Sequence, residues 1–140
     1  MVSLQKSLRI AMIGLGDVSQ AHLQAFELLE NLNIISVCDL NMEVTQKISD
    51  KYNAKSYTDY HSLLADGGVD LVMVLTPAST HREIVEAVAK SGIHVFCEKP
   101  LAITLEDGEA MVAACENARV KFFYGSCYRY LPAVKKAHEL

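Results

Sequence analysis

The chain has 140 residues, 51% of them hydrophobic, and a formal net charge of −4 at pH 7. That is enough for one domain with a sizeable core, while no apolar run is long enough to span a bilayer and the acidic balance gives no general attraction to nucleic acid or to an anionic membrane. Cys38, Cys97, Cys115 and Cys127 are irregularly spaced, as suits reduced thiols rather than a disulfide framework or a zinc site, and the first seven residues carry no targeting pattern, so a cytoplasmic protein is expected.

Leu8 to Ile13 is an apolar run that reads as a buried strand, followed by Val18, Ala21, His22, Ala25, Phe26 and Leu29 at helical spacing, with His22 expected against the sheet. Ile34 to Cys38 is the second strand. Lys55 to Tyr57 and Tyr60 to Ala65 supply a short third strand and a brief helix. Leu71 to Leu75 is the fourth strand, and Ile84, Val85, Val88 and Ala89 mark a helix that Ser91-Gly92 ends. His94 to Cys97 and Lys121 to Tyr124 complete the strands, separated by a helix carrying Leu105, Met111, Val112 and Cys115. Thr104, three residues before Asp107, opens that helix in the manner of a capping box.

Apolar runs without polar alternation suit strands covered on both faces, and their alternation with helices requires right-handed parallel crossovers. The expected fold is α/β: a doubly wound parallel sheet in three layers with strand order 3-2-1-4-5-6, its crevice at the carboxyl ends of strands one and four. Residues 1–125 account for that domain. Residues 126–140 begin a new, more basic helical segment that stops without a capping glycine, as though a C-terminal substrate domain were cut off at its start.

Gly14-Leu-Gly16-Asp-Val-Ser19 lies directly after the first strand, and Asp39 closes the second. Two glycines permit a sharp turn that brings backbone N–H groups against a pyrophosphate, and a carboxylate on the second strand accepts from the adenosine ribose hydroxyls. Ser19 stands where a third glycine is usual, small enough for close helix-to-strand packing. Gly14, Gly16, Asp17, Val18 and Asp39 are therefore candidate dinucleotide-binding residues. Asp39 repels a 2′-phosphate and no arginine adjoins it, so NAD is favoured over NADP. Other readings remain: a structural turn, an S-adenosylmethionine-dependent methyltransferase, or Asp39 as the cap of the helix starting near Met42.

Strand four runs into Thr76-Pro77-Ala78-Ser79-Thr80-His81, with Pro77 near the first turn of the next helix. Thr76, Pro77 and His81 thus stand at the cofactor edge, where His81 either touches the ligand or packs. Strand five ends in Glu98-Lys99-Pro100. A lysine ammonium there either stabilises developing oxyanion charge and moves a proton, or is a solvated group paired with Glu98. No histidine pair has metal-ligand spacing.

Taken together, Gly14-Leu-Gly16, Asp39, Thr76-Pro-Ala-Ser-Thr-His81, Glu98-Lys99-Pro100 and Tyr128-Arg129-Tyr130-Leu131-Pro132 resemble the glucose-fructose oxidoreductase and inositol dehydrogenase (Gfo/Idh/MocA) family over nearly the whole chain. The resemblance implies hydride transfer between a nicotinamide and a hydroxyl or carbonyl carbon of a sugar, cyclitol or related polyol. It makes Lys99 the catalytic candidate, with Glu98 supporting the site, and counts both Glu98 and Lys99 among the residues bordering the cofactor. It also implies a C-terminal domain that supplies much of the substrate pocket and the surface of a homo-oligomer. Without such a domain the chain is expected to bind cofactor and turn over poorly; a non-catalytic NAD-binding module working with a partner chain is the competing reading.

Overall fold

A computed structural model describes residues 7–139. The leader expectation for the first seven residues, and the outer limits of the two ranges at Met1 and Leu140, extend outside the described residues. Six strands form one sheet in the order β3-β2-β1-β4-β5-β6, every neighbouring pair parallel, as the alternation of runs predicts. They are β1 (Leu8–Ile13), β2 (Leu32–Cys38), β3 (Lys55–Tyr57), β4 (Leu71–Val74), β5 (His94–Cys97) and β6 (Phe122–Tyr124). The helices are α1 (Asp17–Phe26), α2 (Met42–Tyr52), α3 (Tyr60–Asp66), α4 (His81–Lys90), α5 (Leu105–Asn117) and α6 (Pro132–His138).

The two sheet faces carry separate cores, which is the physical content of the three-layer expectation. On one face Ile10, Met12, Ile34, Val37 and Met73 pack with Leu23 of α1 and Ile48 of α2. On the other, Ala11, Ile13, Val72, Val74, Val95 and Cys97 pack with Leu63 of α3, Val85 and Val88 of α4, and Met111 and Cys115 of α5. The central strand is covered on both sides, so Ile10, Ala11 and Met12 are fully buried.

The β1–β2 register breaks once: Ile10 pairs with Ile34, but Ala11 pairs with Ser36. Ile35 is therefore an extra residue in β2, a bulge that lets Ile34 and Val37, three apart, point into the same core despite the two-residue period of a strand.

Local chemistry sets the helix starts at the carboxyl edge. Asn41, not Asp39, caps α2, its side-chain oxygen accepting from the Glu43 and Val44 N–H groups. Thr104 caps α5 by accepting from the Asp107 N–H at 3.1 Å. The Asp107 carboxylate meets the Thr104 hydroxyl at 2.8 Å and Arg82 of α4 at 3.0 Å, which ties α5 to α4. Beyond Pro77 the chain makes a single 3₁₀ turn, Ala78–Thr80, before α4 begins at His81. Gly92, two residues past the end of α4, has φ +72°, a backbone conformation suited to glycine. No helix among the described residues is long and apolar enough to cross a membrane.

Candidate functional site

A cleft of about 780 Å³ opens along the carboxyl edge between β1 and β4, where the sheet order reverses direction. Gly14, Gly16, Asp17, Val18, Asp39, Thr76, Pro77, Glu98 and Lys99 all line it.

The two glycines of the turn answer to different constraints. Gly14 has φ +91°, and a Cβ there would lie 2.8 Å from both Leu75 C and Thr76 N, so the end of β4 passes too close for any side chain. Gly16 has φ −71° and serves as the N-cap of α1; a Cβ there would meet nothing within 4 Å. Its missing side chain leaves open cleft rather than relieving a clash within the protein. Ser19 packs fully buried beneath the turn, and its hydroxyl donates to the Gly16 carbonyl at 2.6 Å. Asp17 is exposed in the first turn of α1, where the helix dipole favours its charge.

Asp39 is held by backbone donors on both oxygens: Oδ2 accepts from the Leu15 N–H at 2.7 Å and Oδ1 from the Asn41 N–H at 2.9 Å. The carboxylate thus links the end of β2 to the middle of the glycine turn, a contact that sequence spacing does not disclose. Beside it, burial pushes the Cys38 thiol up to about 11, helped by the charges of Asp59 and Asp39.

His81 requires a correction. It is fully buried and does not line the cleft. Its Nε2 lies 2.7 Å from the Thr76 carbonyl oxygen, and its Nδ1 lies 3.0 Å from the Leu101 carbonyl oxygen and 3.2 Å from the Cys97 sulfur. Both ring nitrogens thus face a backbone carbonyl oxygen, which accepts whichever ring N–H the tautomer supplies, and burial pushes the Cys97 thiol up to about 12 and so keeps it protonated. The first turn of α4 faces the sheet here, so this histidine ties the end of β4 to the segment after Pro100 and meets no ligand space.

Glu98 is also not paired through the Lys99 ammonium. It is 8% exposed; one carboxylate oxygen accepts the Lys99 backbone N–H at 2.7 Å and the other lies 2.9 Å from His22 Nε2. The His22 ring stands edge-on to Phe96 at 5.4 Å. His22 therefore packs against the sheet as its helical position suggests, and it also couples α1, the helix behind the glycine turn, to the strand end that carries Lys99. Among the described residues the side chain of Lys99 has no such partner to hold it against the protein, and it is exposed at the cleft. The Lys99–Pro100 peptide is cis.

Thr80, within the Thr76 to His81 segment, lines the cleft as well, and so do Asp59, Tyr60 and Glu83, which no motif singles out. The available signal is topological: Asp59 follows β3, whose carboxyl end shares the edge with β2. The Tyr60 hydroxyl donates to Glu83 at 2.6 Å, and burial followed by that carboxylate raises the phenol to about 12. Among the described residues no group of histidine, cysteine and carboxylate side chains could hold a metal ion.

The family described as "Oxidoreductase family, NAD-binding Rossmann fold" (Gfo/Idh/MocA) matches residues 8–126. The chain is 34% identical over 131 residues to a D-apiose dehydrogenase of Paraburkholderia graminis, covering 93% of this chain and 35% of that enzyme. It is 34% identical over 133 residues to a myo-inositol 2-dehydrogenase of Thermotoga maritima, covering 94% and 40%. Its fold superposes on the WlbA dehydrogenase from Bordetella pertussis, solved in complex with NADH and UDP-GlcNAcA, with a TM-score of 0.90 at 30% identity over 96% of this chain and 42% of that one. The chain spans 35 to 42% of the length of these proteins. On the strength of a match that runs from the first strand to the end of the sixth, the chain belongs to the Gfo/Idh/MocA oxidoreductase family and carries its NAD-binding Rossmann fold.

Proposed function

We propose that this chain is the cofactor half of an NAD-dependent dehydrogenase that moves a hydride between nicotinamide and a hydroxyl or carbonyl carbon of a sugar, cyclitol or related polyol. The single observation that carries the reading is the open space at Gly16: a turn forced by Gly14 presents α1's N-terminus to a cleft that a side chain at Gly16 would enter. A pyrophosphate fits that opening, and the fixed carboxylate of Asp39 stands where an adenosine ribose needs an acceptor. Gly14, Gly16, Asp17 and Val18 would border the phosphates, and Thr76 and Pro77 the path between the two nucleosides. Bound there, the nicotinamide supplies the hydride acceptor or donor.

Lys99 is our catalytic candidate. It projects at the end of β5, across the switch point from Asp39, on a backbone that Glu98 fixes through its own N–H. From that place an ammonium orients a substrate oxygen and stabilises negative charge developing on it. The dehydrogenases of sugars and cyclitols among the relatives support this substrate class. We assign residues 1–125 to the cofactor domain and 126–140 to the start of a substrate-covering domain. In that last stretch Tyr128, Tyr130 and Leu131 are exposed. An aromatic surface of this kind suits cover by further protein, and a homo-oligomer in the cytoplasm, where the four free thiols stay reduced, completes the proposal.

Titration calorimetry with NAD tests the reading. The folded chain is expected to give saturable, one-site heat with NAD and none with S-adenosylmethionine, and Lys99→Ala is expected to retain that binding. A folded chain that gives no heat with NAD overturns the proposal.

A further inference from the structure

We propose that Asp59 is a second specificity-determining residue of the cleft, its carboxylate acting beside Asp39 to reject a cofactor that carries a 2′-phosphate. The inference rests on the reading of the Asp39 end as the adenosine ribose end. Three observations on the fold place the two charges together. β2 and β3 are neighbours, with Cys38 paired to Tyr57, so Asp39 and Asp59 lie one and two residues beyond a paired position. The Asp39 N–H donates to the Tyr57 carbonyl at 3.2 Å, which keeps the two strand ends together past the ladder. Both residues line the same cleft.

Asp59 is also held in place and held ionised. As the N-cap of α3 it accepts from the His61 and Ser62 N–H groups, each at 3.1 Å, and from the Ser62 hydroxyl at 2.8 Å. Those donors, the Ser62 hydroxyl first, keep its carboxyl below the ordinary value.

Among the described residues that line the cleft no lysine or arginine stands at that end, and His61, whose N–H bonds Asp59 and whose ring weighs last on its charge, lies outside the lining. Among the described residues that line the cleft the basic one is Lys99, at the end of β5, with β1 and β4 lying between it and β2. A 2′-phosphate brings close to two negative charges into the field of two carboxylates. NAD lacks that group and places its phosphates at the glycine turn. Removing the Asp39 charge alone therefore leaves selectivity in part intact, because Asp59 still repels the added phosphate. This repulsion acts through an exposed, hydrated rim, so salt screens it over about 8 Å at physiological ionic strength.

The test measures Kd for NAD and NADP by calorimetry on the wild-type chain, Asp39→Asn, Asp59→Asn and the double variant, at low and at physiological salt. Asn caps a helix as well as Asp does, so Asp59→Asn is expected to keep the fold, checked by its melting temperature. We expect Asp59→Asn to lower the preference for NAD over NADP by about three- to tenfold at low salt and by less at physiological salt, and the double variant to stand nearer parity than Asp39→Asn. A preference unchanged by Asp59→Asn in both backgrounds overturns the inference while leaving NAD binding in place. A folded wild-type chain that binds neither cofactor overturns the underlying cofactor reading, and this one with it.

Discussion

Replacing Gly14 by alanine and Gly16 by alanine, two residues apart in one motif, is expected to produce opposite phenotypes. At Gly14 a methyl group would sit 2.8 Å from two backbone atoms of the β4 end and 2.9 Å from Thr76 Cγ2, and φ +91° is a conformation that L side chains rarely adopt. Positive-φ strain of about 1–2 kcal/mol and overpacking of about 1–3 kcal/mol add to about 2–5 kcal/mol, since Leu75 and Thr76 backbone cannot step aside without disturbing the central strands. At this chain length each kcal/mol lowers Tm by roughly 3–5 °C, so Gly14→Ala is expected to melt about 6–25 °C below wild type. At Gly16 the backbone already suits alanine and the methyl group meets no protein atom. The only stability cost is that of a poorer N-cap, about 0.5–1 kcal/mol. The same methyl occupies the approach to α1's N-terminus, and we expect Kd for NAD to rise about tenfold or more, equivalent to about 1.4 kcal/mol or above. Thermal unfolding followed by circular dichroism at 222 nm, paired with calorimetric titration of NAD, reads both effects. If Gly14→Ala melts with wild type, or if Gly16→Ala loses as much stability yet binds NAD normally, the division of labour within the turn is wrong.

Two further outcomes follow from the ionisable groups. With Cys38 and Cys97 raised to about 11 and about 12, Cys115 buried and Cys127 exposed, one thiol of the native chain is expected to react promptly with a disulfide reagent at pH 8 and the other three only after denaturation; prompt reaction of all four would contradict the packing. The Asp107 carboxyl is held below its ordinary value by the Thr104 hydroxyl first and Arg82 second, so the stability it confers is present above its unfolded value of about pH 4 and is lost as pH falls through the lower native one. Urea midpoints of wild type and Arg82→Gln are expected to converge on acidification from pH 6 to pH 3, whereas a constant gap would show that Arg82 acts on stability by packing alone.

The order of elements and the sheet topology were legible in the residues because each depends on short-range rules. Apolar runs such as Leu8 to Ile13 mark strands covered on both faces, Gly and Pro punctuate their ends, and the handedness of parallel crossovers turns a linear β-α alternation into one strand order. The glycine turn and Asp39 were legible for the same reason, since a turn, a strand end and a helix start are local. Contacts across strands carry no such signature. That Ile35 bulges out of register, that His81 turns into the core against Cys97, that Glu98 takes His22 rather than the Lys99 ammonium, and that Asp59 arrives beside Asp39 are all settled by which strand lies next to which and at what register. Sequence periodicity assigns a side chain to a face of its own element, while burial, partner and charge environment arise only when separate elements close over that face.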